Sequence, residues 1–403
     1  MMAGLKMPGY DGALQRKNML KPGDHASAAA LKLSAFILFL TLGVAGPLPA
    51  QAGPGGSWKF AVSGDSRNCG DIVMPAIAQK VRREGAAFYW HLGDYRAISN
   101  FDEDYRQIYP NSTVNNYLTN AWPDFIQHQL NPFGDLPVFL EIGNHELIWP
   151  MTRSLYLAQF ADWLDQPALQ RQRLADDPDD HMLKTYHHWI EHGVDFIGMD
   201  NSSSDMVDAA QMKWFKAVLA RDAKDPSIHT VVMGAHDSLP EGLSAGHSAN
   251  DSPQQEATGR VVYAQLLAFR NTTKKNVYVL ASHSHFVLNN VYETACRSKA
   301  DVLPGWITGS AGAVRYRLPK DSVAATVALT DVYGYLLGTV APDGTIAFDF
   351  QLVSEADVPE SVVREFSAER VHWCFTENKS PYQPEGATCP KGTPAAGSDQ
   401  PSF

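Results

Sequence analysis

Five segments of the chain share one pattern, in which an apolar run of strand length leads into a turn of polar residues. Runs of this length that end in glycine or small polar residues are typical of buried β-strands. Each run is followed closely by Asp, Asn or His, so the sequence predicts that five strand ends carry polar side chains to one rim. The apolar runs are residues 58–62, 86–90, 136–142, 228–233 and 276–280.

The segments between these runs predict helices in some places and loops in others. Apolar residues recur at helical spacing in residues 71–83, 212–219 and 258–270, which predicts helices there. Residues 95–120 are polar and aromatic without a clear period, so we expect a long loop over the rim. After His285 the chain changes to short strand-like runs, which predicts that it closes with a second sheet.

The N-terminal segment has the composition of an export signal. Basic residues precede an apolar run at 33–46, and Ala50-Gln51-Ala52 has the small-x-small form of a cleavage site. A membrane anchor is the alternative, but the run is shorter than the roughly 20 apolar residues that span a bilayer. We therefore expect residues 1–52 to be a secretory signal and the mature protein to be secreted or periplasmic, without a stable membrane anchor.

The charge of the chain limits its partners. The formal net charge is −11 at pH 7, which disfavours nucleic acid because a phosphate backbone needs a basic surface. A small phosphate ester stays compatible with this charge, since metal ions in a cleft would reverse the sign locally.

Four cysteines in an exported chain allow two disulfides with three connectivities. Closeness in sequence favours a Cys374–Cys389 bond that holds the C-terminal segment, and Cys69 and Cys296 would then pair or stay free. Residues 378–403 are rich in Pro, Gly and Ser, which predicts a flexible tail.

The turns that follow the five runs supply carboxylates, an amide and imidazoles, which suit Mn, Fe, Zn or similar ions. A single Asp after Gly is more often a turn or capping residue, and a single His before a loop is often structural. Two histidines at positions i and i+2 of a strand face the same side, however, and are seldom there for packing. The turn motifs are Gly64-Asp65, Gly93-Asp94, Gly143-Asn144-His145-Glu146, Ala235-His236 and His283-Ser284-His285.

Taken in order, these motifs resemble those of the calcineurin-like metallophosphoesterase superfamily, nearest to the purple acid phosphatase branch. The resemblance covers roughly residues 60–286 and implies an α/β fold of two packed mixed β-sheets flanked by helices over residues 53–377. It also implies two metal ions, Fe, Mn or Zn, that Asp94 bridges, with His145 as a catalytic residue beside the scissile ester. The implied ligands are Asp65, Asp94 and His285 for the first ion and Asp94, Asn144, His236 and His283 for the second.

The first metal site departs from the family pattern. Arg67 stands where many members have a metal-binding His, and Ala97 stands where purple acid phosphatases have a ligand Tyr. A guanidinium cannot ligate a metal, so we expect the first site to hold its ion weakly. Arg67 is instead a candidate to bind the substrate phosphate bidentately, with Arg96 as a second candidate.

Other histidines have weaker assignments. His187, His188 and His192 are expected to be structural, because neighbouring residues on a strand face opposite sides. His247 lies in a polar loop and is either a substrate contact or a solvent-exposed residue, and His91 is expected to orient Asp94.

The sequence thus predicts an exported metal-dependent phosphoesterase that acts on a small phosphate ester, most simply a phosphomonoester. One alternative is a phosphodiesterase for cyclic nucleotides or phospholipid head groups. Another is a phosphoester-binding protein whose metal pair has decayed, with Arg67 as the mark of decay. The presence of both Asp94 and His145 favours the enzyme.

Overall fold

The signal segment predicted for residues 1–52 lies outside the part of the chain that the structure describes. Among the described residues, no helix combines the length and the apolar character needed to cross a membrane. A computed structural model describes residues 56–202, 207–244, 247–249, 252–320, 322, 325–387 and 389.

Two β-sheets form the centre of the described structure. The first has five strands in the order β12-β11-β1-β2-β3, and the second has seven in the order β10-β8-β9-β7-β6-β5-β4. Both are mixed. In the first sheet β1, β2 and β3 run parallel beside the antiparallel β11 and β12, and in the second β5, β6 and β7 run parallel beside the antiparallel β4. The strands are β1 (Trp58–Ser63), β2 (Tyr89–His91), β3 (Val138–Leu140), β4 (His187–Glu191), β5 (Val194–Met199), β6 (Thr230–Ala235), β7 (Asn276–Ala281), β8 (Val287–Asn289), β9 (Gly305–Thr308), β10 (Ala328–Leu329), β11 (Tyr333–Val340) and β12 (Ile346–Val353).

Helices cover the outer faces of both sheets, as expected for strands that are buried on two sides. The helices α1 and α3 pack in the apolar cluster behind the first sheet, and α7 and α8 pack behind the second. The helices are α1 (Gly70–Arg83), α2 (Glu103–Ile108), α3 (Val114–Phe125), α4 (Arg153–Gln159), α5 (Ala161–Leu164), α6 (Pro167–Asp176), α7 (Ala209–Lys224), α8 (Pro253–Thr273), α9 (Glu360–Phe366) and α10 (Ala368–Thr376).

An aromatic core joins the two sheets face to face. Phe60 and Trp90 of the first sheet lie in one buried cluster with Trp189 and Phe196 of the second. The ring centroids of Phe60 and Phe196 are 5.0 Å apart and nearly perpendicular, a favourable arrangement for aromatic pairs. These contacts fix the relative position of the sheets, and therefore of the turns at their strand ends. The predicted α/β architecture of two packed mixed sheets is confirmed.

The segment 95–120 is not a long loop, contrary to prediction. It contains α2 and most of α3, and α3 begins where the side chain of Thr113 accepts a hydrogen bond from the backbone N–H of Asn116 at 3.2 Å. Tyr117, Ala121 and Phe125 are buried. These residues recur at helical spacing, so the sequence did hold a helical signal at the end of this segment.

The strands after His285 do not form one closing sheet. β8, β9 and β10 join the second sheet beside β7, whereas β11 and β12 return to the first sheet. Trp58 of β1 is paired with Val340 of β11 in antiparallel register. The prediction failed because periodicity identifies a strand but not its partner across a long stretch of chain.

The predicted disulfide between Cys374 and Cys389 is wrong. The bonds join Cys69 to Cys374 and Cys296 to Cys389, with sequence separations of 305 and 93 residues. Cys69 precedes α1 and Cys374 lies in α10, so the fold brings distant cysteines together. The C-terminal segment is held along its start, because the backbone of Arg315 bonds Asn378 and Ser380. Residue 388 and residues 390–403 of the predicted tail lie outside the described residues.

A buried charged histidine in the second sheet should make stability depend on pH. The Nδ1 of His188 lies 2.9 Å from Asp195 and its Nε2 2.6 Å from Asp176. Burial acts to lower the pKa of His188, but these carboxylates outweigh it and raise the pKa from 6.5 to about 9. The resulting stabilisation, on the order of 3 kcal/mol, is complete below pH 6.5 and is lost as the pH rises through 9. Burial and Asp195 also raise the pKa of Asp222 to about 8, which adds to the loss.

We expect His188→Gln to lower the free energy of unfolding at pH 6 and to flatten its decline between pH 6.5 and 9.5. Denaturant titrations at several pH values measure both effects. His372→Gln is the matched control, because His372 is exposed and its imidazole pairs with Glu355. An unchanged pH slope in His188→Gln would show that the imidazole does not carry this charge.

Candidate metal centre

The five predicted strand ends meet at one edge of the two sheets. β1, β2 and β3 run parallel in the first sheet, and β6 and β7 run parallel in the second. Their following turns carry Asp65, Asp94, Asn144, His236 and His283. The backbone of three of these residues is left-handed, with φ values of 59°, 62° and 61° at Asp65, Asp94 and His283. Non-glycine residues in this conformation are strained and cluster at functional sites.

The turn that presents Asp94 is held by Glu146. The carboxylate of Glu146 accepts hydrogen bonds from the backbone N–H groups of Gly143, Asp94 and Tyr95 at 2.8–2.9 Å. Gly93 has a φ of 92°, and a Cβ atom there would come within 2.6 Å of the backbone N of Gly143. Only glycine therefore allows the β2 turn to pack this closely against the turn after β3. His91, the expected orienting residue, accepts the N–H of Gly93 at 3.2 Å and contacts Ser66.

One group of atoms that could ligate a metal converges on the Nε2 of His236. The Oδ1 of Asn144 and the Nδ1 of His283 each lie 3.0 Å from this nitrogen, and the Oδ1 of Asp94 lies 3.3 Å away. The other ring nitrogen of His236 is 2.8 Å from the carbonyl of Leu92 and donates its proton there. In that tautomer Nε2 carries a lone pair that faces the Asp94 carboxylate, the Asn144 amide oxygen and the Nδ1 of His283.

This arrangement attracts a positive charge. Burial acts to lower the pKa of His236, but Asp94 and Asp65 outweigh it and raise the pKa to about 9. Burial likewise acts to raise the pKa of Asp94, but His236, His145 and Arg67 hold it well below its ordinary range. Either a proton or a metal ion would satisfy the converging lone pairs. Two imidazoles, a carboxylate and an amide oxygen form a suitable ligand set for Zn, Mn or Fe, so this group fits a metal ion.

A second group lies beside the first and shares Asp94. Donor atoms of Asp65, Asp94 and His285 lie within 4.8 Å of one another, and all three residues are buried. The Nδ1 of His285 donates to the carbonyl of Val314 at 2.6 Å, which leaves a lone pair on Nε2, 3.2 Å from Asp65. Together the groups form a candidate binuclear site, with all six residues predicted as metal ligands assembled around Asp94.

A guanidinium lies against this second group. The Nη2 of Arg67 lies 2.9 Å from the Nε2 of His285, and its Nε lies 3.7 Å from the Oδ2 of Asp94. Burial acts to lower the pKa of Arg67, but Asp94 outweighs it and raises the pKa further. Arg67 is therefore permanently charged within the candidate metal centre.

His145 is held between Arg67 and the turn that contains Ala97. Its Nδ1 donates to the carbonyl of Ala97 at 2.5 Å, and its Nε2 accepts from the Nη1 of Arg67 at 2.5 Å. The backbone N–H of His145 bonds the Oδ1 of Asp94 at 3.0 Å. Since Nε2 is also 3.8 Å from the Oδ2 of Asp94, His145 borders both groups without belonging to either.

A scan against protein-family models finds no match, and neither does a search of curated proteins. Solved structures do match. A purple acid phosphatase from yellow lupin (Lupinus luteus) aligns with a TM-score of 0.50 and 16% identity over 74% of this chain and 52% of its own. PhoD aligns at TM-score 0.47 and 15% identity over 82% and 78%, and a dimetal phosphatase from Danio rerio at 0.44 and 11% over 70% and 92%.

The chain has a calcineurin-like metallophosphoesterase fold. This confirms the fold that the resemblance of the five turn motifs implied. The chain spans about half the length of the lupin phosphatase, so that likeness shows a common fold and not a common activity. Within this metallophosphoesterase fold, the candidate ligands lie on the turns after β1, β2, β3, β6 and β7.

Aromatic residues that were not predicted form one side of the centre. The ring of Tyr316 stacks on His285 with centroids 4.0 Å apart. His247 packs its ring 4.7 Å from that of His283 and 5.1 Å from that of Tyr382. His247 therefore borders the metal centre and is not a freely exposed loop residue. Sequence gave no signal for Tyr316 or Tyr382, because each reaches the site through the late, irregular segments of the chain.

Asp237 is a further acidic residue near the centre that sequence analysis missed. Its Oδ1 lies 3.8 Å from the Nδ1 of His283. It directly follows His236, so its position after β6 was the available signal.

Arg96 does not take part in the centre. It is fully buried and pairs with Asp71, Asp104 and Asp124. Asp71 and Asp124 also lie close to His128, and side chains of these three types can bind a metal ion. The guanidinium supplies the positive charge between these carboxylates, so Arg96 is a structural residue and the second candidate for phosphate binding is not supported.

Proposed function

We propose that this protein is a metal-dependent hydrolase of phosphate monoesters. The observation that supports the proposal most directly is the convergence of Asp94, Asn144 and His283 on the Nε2 of His236. A metal ion would satisfy these converging atoms, and the site lies at the strand ends where α/β folds place their ligands. The residues that would hold the metal are Asp94, Asn144, His236 and His283.

A bound metal ion would lower the pKa of a coordinated water toward neutrality and so supply a hydroxide nucleophile. Asp94 stays anionic in the site and is oriented by the backbone N–H of His145. Arg67 would bind the phosphoryl oxygens through the terminal N–H groups that it does not donate to His145 and His285. The ring of His145 is fixed by Ala97, so its Nε2 remains beside the position of the reacting ester.

The charge of the site favours a monoester over a diester. A phosphate monoester carries up to two negative charges at neutral pH, because the second pKa of a phosphate ester is about 6. A metal ion and the Arg67 guanidinium would together present matching positive charge.

We also propose that the protein is exported, since its two disulfides suit an oxidising compartment.

Chelation should abolish activity reversibly. We expect purified protein to hydrolyse 4-nitrophenyl phosphate, to lose that activity on dialysis against a chelator, and to regain it with Mn, Zn or Fe. Bis(4-nitrophenyl) phosphate measured in parallel should be the poorer substrate. Faster diester turnover would identify a phosphodiesterase. No turnover with any metal, together with saturable binding of phosphate, would identify a binding protein and contradict the proposal.

A further inference from the structure

Arg67 lies where the group of Asp65, Asp94 and His285 would otherwise hold a metal ion. Its guanidinium donates from Nη1 to the Nε2 of His145 and from Nη2 to the Nε2 of His285. Both imidazoles are locked in the accepting tautomer, because their Nδ1 protons are donated to the carbonyls of Ala97 and Val314. The lone pairs that would bind a metal are therefore already directed at a cation that belongs to the chain.

A metal ion and this guanidinium compete for the same atom. A metal bound to His285 would lie about 2 Å from its Nε2, and the Nη2 of Arg67 lies 2.9 Å from that nitrogen. Two positive charges at such a separation repel strongly in a buried site. The side chain of Arg67 is only 14% exposed. If this side chain left the site, the Nε2 atoms of His145 and His285 would lose their hydrogen-bond donors, which costs free energy.

We infer that Arg67 replaces the metal ion of the Asp65, Asp94 and His285 group. The protein would then work with a single metal held by Asp94, Asn144, His236 and His283. This inference rests on the proposed function. The guanidinium lies near the Oδ2 of Asp94, whereas His236 faces the Oδ1, so it neutralises the second carboxylate oxygen. It also stabilises charge on the phosphoryl oxygens, as arginine does in other phosphoryl-transfer sites. It cannot ionise a water molecule, so activation of the nucleophile falls to the one metal.

Metal content tests the inference without measuring activity. Elemental analysis of the wild-type chain, loaded with excess Mn²⁺ and freed of unbound metal, should give one ion per chain. The electron paramagnetic resonance spectrum should be that of isolated Mn²⁺ without spin coupling. Two ions per chain, or a spin-coupled pair, would overturn the inference while leaving metal-dependent hydrolysis standing. No bound metal and no hydrolysis would instead overturn the proposed function itself.

Removing the guanidinium should restore the second ion. In Arg67→His the new imidazole supplies a ligand, and Asp65, Asp94 and His285 are freed to bind. We expect two Mn²⁺ per chain and a spin-coupled spectrum. Arg67→Ala should bind a second ion more weakly, which guards against an effect peculiar to the introduced histidine.

Arg260→Ala is the matched control, since it removes a guanidinium from a surface pair with Glu241 and Glu256. It should keep the single ion and the wild-type spectrum. A second ion that appears in neither Arg67 variant, although both melt as cooperatively as the wild type, would show that Arg67 does not take the place of a metal.

Discussion

Asp94→Asn should lose the bound metal and reduce hydrolysis by about 10³-fold or more, the scale on which a principal electrostatic stabiliser of a transition state acts. Asp94 carries the only carboxylate among the four proposed ligands of the single metal. Asparagine keeps the size, tolerates the left-handed backbone at φ 62°, and can still accept the N–H of His145. The substitution therefore removes charge while leaving the turn in place. Elemental analysis and 4-nitrophenyl phosphate turnover measure the two losses.

The matched control is Asp349→Asn, because Asp349 is exposed on β12 and its carboxylate bonds only Gln351 among the described residues. It should keep both metal and turnover. Full metal content in Asp94→Asn, with an unchanged melting temperature, would mean that the metal is not bound where we place it.

His145→Ala should separate metal binding from turnover. His145 ligates neither group, so the metal content should stay at the wild-type value. In the proposed reaction its imidazole lies beside the ester, and it also holds the Nη1 of Arg67 at 2.5 Å. Loss of both roles should lower kcat by about 10²- to 10⁴-fold, the range for a positioned acid or base. Steady-state kinetics beside elemental analysis give both values.

His372→Ala serves as the control for removal of an imidazole, since His372 is exposed on α10. It should match the wild type in metal content and in kcat. A His145→Ala protein that loses its metal would show that His145 is a ligand, and one that keeps full turnover would remove it from the reaction.

The strand ends and the residues on them were predictable because burial and ligand chemistry both leave local signals. A buried strand reads as an apolar run, and the Asp or His that follows it reads as a polar interruption. Asp94, Asn144 and His236 come from three separate runs, and the structure brings their donor atoms together. Local pattern and tertiary position agree here because parallel strands end at a common edge.

Features that depend on distant pairing were not predictable in the same way. The return of β11 to pair with β1, and the bond from Cys69 to Cys374, each join segments from opposite ends of the described chain. No local pattern encodes such a choice of partner. The two helices α2 and α3 are a different case, since α3 has buried residues at helical spacing that the polar composition around them obscured.

Arg67 shows the limit of reasoning from single positions. The sequence indicated that a ligand was missing there and that an arginine cannot replace it as a ligand. It could not show that the guanidinium lies between His145 and His285. That position depends on the tautomers of two imidazoles, which are fixed by the carbonyls of Ala97 and Val314 in remote segments.

We expect a metal to bind where ligand atoms of Asp94, Asn144, His236 and His283 converge at the strand ends. An anomalous difference map from crystals grown with Mn²⁺ tests it most directly. The account predicts a peak about 2 Å from the Nε2 of His236 that is also ligated by Asp94, Asn144 and His283. An occupied site that none of these residues ligates, or an empty map from crystals of protein that elemental analysis shows to contain Mn, would contradict it.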